Sequence, residues 1–334
     1  MRPNNKISNN YCRKKYIRKA SLIIIMKYFT HLVCSGSAIR SFCLLGVLRY
    51  IYFNKMEEHI KNAAGTSMGA FFCLAFALKI PIDELEEMIK RLTKISDIVS
   101  VSSDKFLNLF TNLGFNDSKL YLSGIKDYIK KKYDKDDITF IELSKLTGVN
   151  VYVSTTKINT GNNFIFNVND TPNVSVLDAV ASSMCIPLLS QPIKIDDCYY
   201  VDGCLTNNLP YEIFNNINED HILNIAVYIQ DDYKIADVID KNIEINFLTY
   251  YKQVFSIIYS TSLHSSYISK ISNLKNPLII DNSPFSSFYN LEITDDNIYF
   301  NIKDDDIENL ILQGFKDISD YMSKFEINEE VVVS

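Results

Sequence analysis

The chain has 334 residues, 47% of them hydrophobic, and a net charge of −6. This length is enough to bury a large core. The acidic balance excludes the broad basic surface that nucleic-acid binding requires, so we expect no nucleic-acid partner. The seven cysteines form no CxxC pair, which argues against a zinc site or a disulfide framework and favours free thiols in a reducing compartment. The longest apolar run, residues 70–78, is too short to span a bilayer.

The N-terminal segment differs from the rest of the chain in its charge. Its first 26 residues contain seven basic residues, and no acidic residue precedes Glu57. We therefore expect residues 1–26 to form a basic, disordered tail that is attracted to anionic membrane surfaces. Residues 27–330 are expected to form a single domain. A cytoplasmic protein that binds membranes peripherally is the expected localisation.

Hydrophobic periodicity predicts alternating strands and helices from residue 27 onward. In the first half the expected elements are a buried strand at 27–34, a turn at 35–37, a helix at 44–51, a short strand at 63–64, a buried helix at 70–78, a helix at 83–92, an irregular stretch at 95–118 and an amphipathic helix at 120–133.

In the second half, period-2 alternation predicts a hairpin of two strands. The expected elements are the hairpin strands 149–155 and 164–168, a helix at 176–184, strands at 198–201 and 222–229, a helix at 245–271, a strand at 278–280 and a closing helix at 307–325. Strands that alternate with helices over the whole length indicate an α/β sandwich.

Residues 65–69 (GTSMG) form the pattern G-x-S-x-G between a short strand and a buried helix. In this context the two glycines allow a tight turn that exposes the serine hydroxyl, and the amino end of the following helix favours developing negative charge. Ser67 is therefore the candidate nucleophile. The alternative for so short a pattern is an ordinary strand-to-helix turn with a capping serine.

The position of this turn, after only one strand and one helix, resembles the patatin-like phospholipase family. Three further blocks are similar to that family: residues 32–47 (LVCSGSAIRSFCLLGV) resemble its opening strand, oxyanion loop and first helix, residues 179–192 (AVASSMCIPLLSQP) its A-S-x-x-x-P helix, and residues 200–210 (YVDGCLTNNLP) its D-G-[GA] block and N-x-P segment. The resemblance covers residues 27–230 and implies a three-layer α/β/α sandwich of patatin type with a mixed central sheet.

By this resemblance, Asp202 is the general base of a Ser–Asp dyad with Ser67. Asp202 follows an apolar strand and precedes Gly203, a position from which catalytic side chains often project, although aspartate before glycine is also common in simple turns. The implied activity is that of a lipid acyl hydrolase of phospholipase or lysophospholipase type. It would act at a membrane surface through an acyl-enzyme intermediate, and no metal or other cofactor is expected.

The resemblance also implies an oxyanion hole formed by Gly36, Ser37, Ala38 and Arg40. The family's loop has the form G-G-G-x-[RK]-G, and here Ser37, Ala38 and Ser41 stand where glycines are usual. Backbone N–H groups of any residue can stabilise an oxyanion, but a non-glycine residue at positive φ costs about 1–3 kcal/mol. A catalytically weak lipid-binding protein that keeps the fold is therefore a second hypothesis.

A Ser–Asp–His triad is a third hypothesis, because Ser67 and Asp202 precede His221 and His264 in the order of conventional α/β-hydrolases. His221 opens a predicted strand after a loop, where solvated histidines are common, and His264 lies in a serine-rich predicted helix. His31, inside the first strand, fits a core role. The sequence therefore favours a dyad without histidine.

Overall fold

The structure is a computed structural model that describes residues 28–93, 109, 111–228, 264–282, 291–293, 298–300 and 302–325. The expected basic tail at residues 1–26 lies outside these residues, so the tail and the single domain at 27–330 stay predictions. Residues Tyr28–Ser319 belong to one compact unit. The candidate site lies within Tyr28–Ser319.

The described strands are short, and most are three to five residues long. Their bounds are β1 His31–Cys34, β2 Asn62–Thr66, β3 Gly114–Asn116, β4 Asn150–Lys157, β5 Asn162–Phe166, β6 Leu188–Ser190, β7 Ile193–Ile195, β8 Cys198–Asp202, β9 Ile222–Tyr228, β10 Leu278–Asp281, β11 Leu291–Ile293 and β12 Ile298–Phe300.

The described α-helices are interspersed with these strands along the chain. Their bounds are α1 Cys43–Phe53, α2 Met68–Leu78, α3 Ile82–Thr93, α4 Ser123–Tyr133, α5 Phe140–Thr147, α6 Val176–Ser183, α7 His264–Ser272 and α8 Asp304–Ser323. A 3₁₀ helix, Ala38–Phe42, precedes α1 directly.

Eight of the described strands form one mixed sheet in the order β10-β9-β1-β2-β4-β8-β7, with β5 also paired with β4. Within this sheet, the five strands β10, β9, β1, β2 and β4 are parallel to one another. The pairs β4–β5, β4–β8 and β7–β8 are antiparallel. The sheet is therefore mixed, as the resemblance implied.

The central strands are buried on both faces, which is typical of a parallel sheet between helices. Val33 of β1 belongs to a core cluster with Tyr267 and Ile271 of α7 on one face. Its neighbours Leu32 and Cys34 point to the opposite face and are also buried. All eleven residues of α2 are buried, and this helix packs against β1, β2 and β4. The layered α/β/α arrangement is confirmed.

Some local predictions need correction. The expected irregular stretch at 95–118 is wrong at Gly114–Asn116, which forms β3 and pairs in parallel with β6. Neither β6 nor β7 was predicted, because three-residue strands carry no periodicity and depend on distant partners. Helix α5 was also missed, although Thr139 and Glu142 form a capping box at its start. Of the helix predicted at 245–271, residues 245–263 lie outside the described residues.

Helices α1 and α8 cross at a pair of glycines. A Cβ on Gly46 would lie 1.9 Å from the carbonyl oxygen of Ile311, and a Cβ on Gly314 would lie 1.9 Å from the carbonyl oxygen of Cys43. Both obstacles are backbone atoms, so no side-chain rotation relieves the clash. The crossing fixes α1, which follows the loop that the resemblance assigns to the oxyanion hole.

Gly314→Ala is expected to lower the free energy of unfolding by about 3 kcal/mol, toward the upper end for overpacked cores, because neither helix backbone can move freely. Urea unfolding followed by circular dichroism measures this change.

Gly124→Ala in α4 is the matched control. Its added Cβ would lie 2.8 Å from Cγ of Met88, a side-chain atom that rotation about the Met88 Cα–Cβ bond can move. Alanine is favoured over glycine inside helices, so this variant should stay within about 1 kcal/mol of wild type. Equal stability of the two variants would contradict the close helix crossing.

Candidate active site

Ser67 and Asp202 come together because two strands end head to head along one edge of β4. The other edge of β4 is occupied by β5, which pairs with the same stretch. Strand β2 runs parallel to β4 and ends with Thr66 opposite Ser154, whereas β8 runs antiparallel and ends with Asp202 opposite Thr155. Because Ser154 and Thr155 are consecutive, the carboxyl ends of β2 and β8 meet. Ser67, the residue after Thr66, therefore lies beside Asp202.

The Ser67 hydroxyl donates a hydrogen bond of 2.8 Å to Oδ2 of Asp202. Both residues are buried, with exposed fractions of 8% for Ser67 and 1% for Asp202. The second carboxylate oxygen, Oδ1, accepts a 2.9 Å hydrogen bond from the backbone N–H of Cys204. A carboxylate in direct contact with a serine hydroxyl can accept its proton without an intervening imidazole.

The G-x-S-x-G turn holds Ser67 in a strained backbone conformation, with φ 53° and ψ −127°. Positive φ is uncommon for a residue with a side chain and costs of order 1–3 kcal/mol. The two glycines serve a different purpose, the close approach of backbones. A Cβ on Gly65 would lie 2.5 Å from the carbonyl carbon of Gly69, and a Cβ on Gly69 would lie 2.4 Å from the carbonyl oxygen of Cys34.

Burial raises the pKa of Asp202 from 3.8 to about 6, although hydrogen bonds from Cys204 and Ser67 act in the opposite direction. A buried carboxylate lacks the hydration that stabilises its charge, so the neutral form is favoured. Burial also raises the pKa values of the neighbouring Cys185 and Cys204 thiols. Those two thiols therefore stay neutral over the range in which Asp202 titrates.

The loop after β1 is fixed by Asn208. The N–H of Gly36 donates to both Oδ1 (3.2 Å) and the backbone oxygen (3.3 Å) of Asn208, whose Nδ2 donates to the Gly36 carbonyl at 2.9 Å. The N–H of Arg40 donates to the Ser37 carbonyl at 3.1 Å. Among the four residues expected in the oxyanion hole, the described part of the chain offers no acceptor for the N–H groups of Ser37 and Ala38.

Hydrogen bonds hold this loop, in which one substituted residue has a strained backbone. Ala38 has a φ of 48°, a left-handed conformation that favours glycine. The hydroxyl groups of Ser37 and Ser41 lie 2.8 Å apart and form a hydrogen bond. Asn282 Nδ2 donates to the carbonyl of Arg40 at 3.3 Å. The two serines and the asparagine hold the loop where glycines are missing.

His31 and His221 lie at the end of the sheet opposite Ser67. His31 pairs with Asn62 at the amino end of β2, and His221 immediately precedes β9 at the same end of the sheet. Ser67 follows the carboxyl end of β2, roughly 15 Å away at about 3.3 Å per residue. His31 makes hydrogen bonds to Thr30 and to Asn62, as in the expected core role. His264 is buried as the first residue of α7.

Three residues that contact the site were not predicted from the sequence. Ser183 accepts a hydrogen bond from the Ser67 N–H, Asn208 binds Gly36, and the Cys204 N–H binds Asp202. Ser183 and Asn208 lie in the A-S-x-x-x-P and N-x-P blocks, which were the available signal. Motifs name residue types but not their partners, so these contacts needed the structure.

Residues 32–215 match the sequence model of the patatin-like phospholipase family, a range that covers more than half of the chain. The chain belongs to the patatin-like phospholipase family. The resemblance carried by the four sequence blocks is confirmed, and the matched range includes both Ser67 and Asp202.

Two viral proteins are similar to this patatin-like chain. One, named Probable lipid hydrolase 463L, from Invertebrate iridescent virus 6, is 30% identical over 207 residues, which cover 61% of this chain and 69% of that protein. The other, Uncharacterized protein R571 from Acanthamoeba polyphaga mimivirus, is 25% identical over 269 residues, which cover 79% of this chain and 87% of that protein.

A solved structure shows the same fold. The crystal structure of VipD from Legionella pneumophila matches with a TM-score of 0.52 and 13% sequence identity, covering 90% of this chain and 67% of that chain. At this identity the likeness concerns the fold alone.

The described residues lack two features. They contain no group of three or more His, Cys, Asp or Glu side chains that could hold a metal ion. Within the same ranges, every helix is too short or too polar to cross a membrane.

Asp202→Asn is expected to have a higher free energy of unfolding than wild type at pH 7.5. At pH 5 this advantage should be smaller. Because folding raises the pKa of Asp202 from 3.8 to about 6, the stability that this group gives is full below its unfolded pKa. That stability is lost as the pH rises through the folded pKa. Asparagine does not titrate, so the advantage of the variant should grow by about 1 kcal/mol between the two pH values.

Urea unfolding at both pH values measures this difference. Asp136→Asn removes the same charge from a side chain that is 81% exposed, and it should show no such pH-dependent gain. If Asp202→Asn changed stability equally at both pH values, Asp202 would not have the pKa that its burial implies.

Proposed function

We propose that this chain hydrolyses lipid esters of phospholipid or lysophospholipid type, with Ser67 as nucleophile and Asp202 as base. The observation that carries the proposal is the 2.8 Å hydrogen bond from the Ser67 hydroxyl to the Asp202 carboxylate. Membership of the patatin-like phospholipase family and similarity to a viral protein named as a lipid hydrolase support a lipid substrate.

In the acylation step, Ser67 Oγ attacks the ester carbonyl carbon as its proton passes to Oδ2 of Asp202. The carbonyl π electrons move to the oxygen, which becomes the oxyanion of a tetrahedral intermediate. When the intermediate collapses, the bond to the leaving alcohol breaks and this alcohol takes the proton from Asp202. The products of the step are the free alcohol and an acyl ester on Ser67.

In the deacylation step, a water molecule occupies the position that the alcohol has left. Asp202 accepts a proton from this water as its oxygen attacks the acyl carbon, and a second tetrahedral intermediate forms. Collapse of this intermediate releases the fatty acid and returns the proton to Ser67 Oγ. The same carboxylate therefore serves both half-reactions, first as base and then as acid.

The surroundings of Asp202 suit this role. A carboxylate with its ordinary pKa is a weak base, whereas burial raises the pKa of Asp202 to about 6, closer to neutral pH. A base whose pKa lies near the working pH is both largely ionised and able to hold a proton in the transition state.

The oxyanion donors in this proposal are the backbone N–H groups of Ser37 and Ala38. Gly36 then has a positioning role, since its own N–H is bound by Asn208. The amino end of α2, which begins directly after Ser67, adds a favourable dipole for the developing negative charge. Removal of one such donor typically lowers the rate by about 10²–10³-fold.

We also propose that the substrate is met at a membrane surface in the cytoplasm. The basic residues at positions 2–19 would be attracted to anionic lipid headgroups. Lipid esters are concentrated in membranes, so attraction to the surface would raise the local substrate concentration.

A catalytically weak lipid-binding protein is the second candidate function. The observation that favours it is Ala38, which stands at a φ of 48° where the family has glycine. If that strain displaced an oxyanion donor, transition-state stabilisation would fall by roughly 3–4 kcal/mol. Lipid binding would then persist while turnover was largely lost.

Ser67→Ala is expected to abolish both ester hydrolysis and labelling by a lipophilic fluorophosphonate, because the attacking oxygen is removed. Mass spectrometry of the labelled wild type should identify Ser67 as the modified residue. Circular dichroism of the variant should match wild type, since one buried hydroxyl is the only group lost.

Asp202→Asn, His221→Ala and His264→Ala complete this test. The asparagine variant should lose about 10²–10⁴-fold in turnover, the range for a lost general base, whereas both histidine variants should keep most of the wild-type rate. An inactive histidine variant would replace the dyad with a triad. Equally low activity in wild type and all variants, with lipid binding retained, would favour the lipid-binding candidate.

The acid limb of the kcat/KM profile is expected near pH 6. Asp202 must be ionised to accept the serine proton, so activity should fall about tenfold per pH unit below its pKa of about 6. Hydrolysis of a soluble ester between pH 4.5 and pH 8 measures this limb.

The temperature dependence of the limb separates a carboxyl group from an imidazole. Ionisation of a carboxyl group has almost no enthalpy, so the midpoint should stay constant on warming. A limb that moves to lower pH with rising temperature would assign the titration to a histidine and contradict the role of Asp202.

A further inference from the structure

The backbone of Ser67 is held by a side chain that the reaction scheme above does not use. The hydroxyl of Ser183 accepts a hydrogen bond of 2.7 Å from the N–H of Ser67 and donates one of 2.6 Å to the carbonyl of Ser154. Ser183 is fully buried. Its hydroxyl therefore accepts one hydrogen bond and donates another, and both partners are backbone groups next to the site.

These two backbone groups lie where the ladder between β2 and β4 stops. The register pairs Thr66 with Ser154, and the chain then turns away at Ser67 into α2. The turn separates the Ser67 N–H from the β4 carbonyl that faces it. Both groups are buried, and an unpaired buried N–H or carbonyl costs about 1–3 kcal/mol. The Ser183 hydroxyl bridges the gap and satisfies both groups.

The chain around Ser183 also contacts the other half of the dyad. Ser183 is the last residue of α6, and two residues later the carbonyl of Cys185 accepts a 2.9 Å hydrogen bond from the N–H of Asp202. The segment from Ser183 to Cys185 thus binds the backbone N–H groups of both Ser67 and Asp202. The end of α6 fixes the spacing of two residues that are 135 positions apart in the sequence.

We infer that Ser183 is a positioning residue for the nucleophile. It holds the strained backbone of Ser67 so that the hydroxyl points at Asp202 and the attacking oxygen faces the N–H groups of the oxyanion loop. This inference rests on the proposed function, because it assigns a role within the same reaction. Ser183 itself does not touch the substrate or the reacting atoms.

Ser183→Ala removes the bridge without adding atoms, and Ser182→Ala is its matched control. Ser182 is the preceding residue of α6 and equally buried, but its hydroxyl donates to the Ala179 carbonyl within the helix. Both substitutions delete one buried hydroxyl from the same helix. Their difference therefore isolates the contact with Ser67.

Ser183→Ala is expected to lower kcat by about 10²-fold, the usual effect of a displacement of about 1 Å at a reacting centre. KM on a soluble ester should change less than about twofold, because the substrate pocket keeps its residues. The rate of fluorophosphonate labelling at Ser67, per folded molecule, should fall with kcat. Ser182→Ala should keep both rates within about twofold of wild type, since its hydrogen bond lies away from the site.

Ser183→Cys covers the case in which the alanine variant does not fold. Its thiol is similar in size to the hydroxyl but is a weaker donor and acceptor. The labelling rate should therefore lie between the rates of wild type and Ser183→Ala. If the alanine variant is unfolded, the labelling rate of Ser183→Cys should still be below that of wild type. A wild-type labelling rate in either folded Ser183 variant would overturn the inference, and so would an equal loss in Ser182→Ala.

Failure of the proposed function gives a different result. In that case the wild-type protein itself would neither hydrolyse esters nor be labelled at Ser67, and the role of Ser183 would fall with it. A labelled, active wild type with unaffected Ser183 variants would overturn the positioning role alone.

Discussion

The head-to-head meeting of β2 and β8 along β4 is the constraint on which the site depends. A serine hydroxyl and a carboxylate from distant parts of the chain can share a proton only if their backbones are held in place, since a displacement of about 1 Å at a reacting centre can cost about 10²-fold in rate. Here the register supplies that precision, because Thr66 and Asp202 pair with consecutive residues of β4. Side chains reinforce it: the Thr156 hydroxyl donates to the Asp202 carbonyl at 2.8 Å, and the Thr66 hydroxyl donates to the Asn207 carbonyl at 2.8 Å.

The same arrangement works against stability. Asp202 is a buried acid whose ionised form is disfavoured by its surroundings, and Ser67 and Ala38 both hold positive φ. Strain of this kind persists only where the surrounding structure determines the backbone more strongly than the local preference does. The fully buried α2 and β1 provide that support, since their buried residues cannot shift without opening the core.

The parts of the structure that were predicted from the sequence are those with local causes. The turn at Ser67 follows from glycines two residues away on each side, and the buried α2 follows from its uninterrupted apolar run. The position of Asp202 beside Ser67 depends on a long-range register, so only the family resemblance indicated it. The strand pair β3–β6 and the binding of Gly36 by Asn208 likewise join residues that are distant in sequence. Neither hydrophobic periodicity nor the spacing of motifs indicates such contacts.

The loss of glycines from the loop after β1 causes less backbone strain than the motif comparison implies. Of the three substituted positions, Ser37 has a φ of −162°, which is extended backbone open to any residue. Ser41 lies in the 3₁₀ helix before α1 and is not among the positive-φ residues of the described chain. The steric penalty therefore falls on Ala38 alone, at about 1–2 kcal/mol for a left-handed alanine. Hydrogen bonds from Asn208 to the Gly36 carbonyl and from Asn282 to the Arg40 carbonyl hold the loop against that strain. On these grounds the geometry of the loop favours a hydrolase over a lipid-binding protein that has lost its activity.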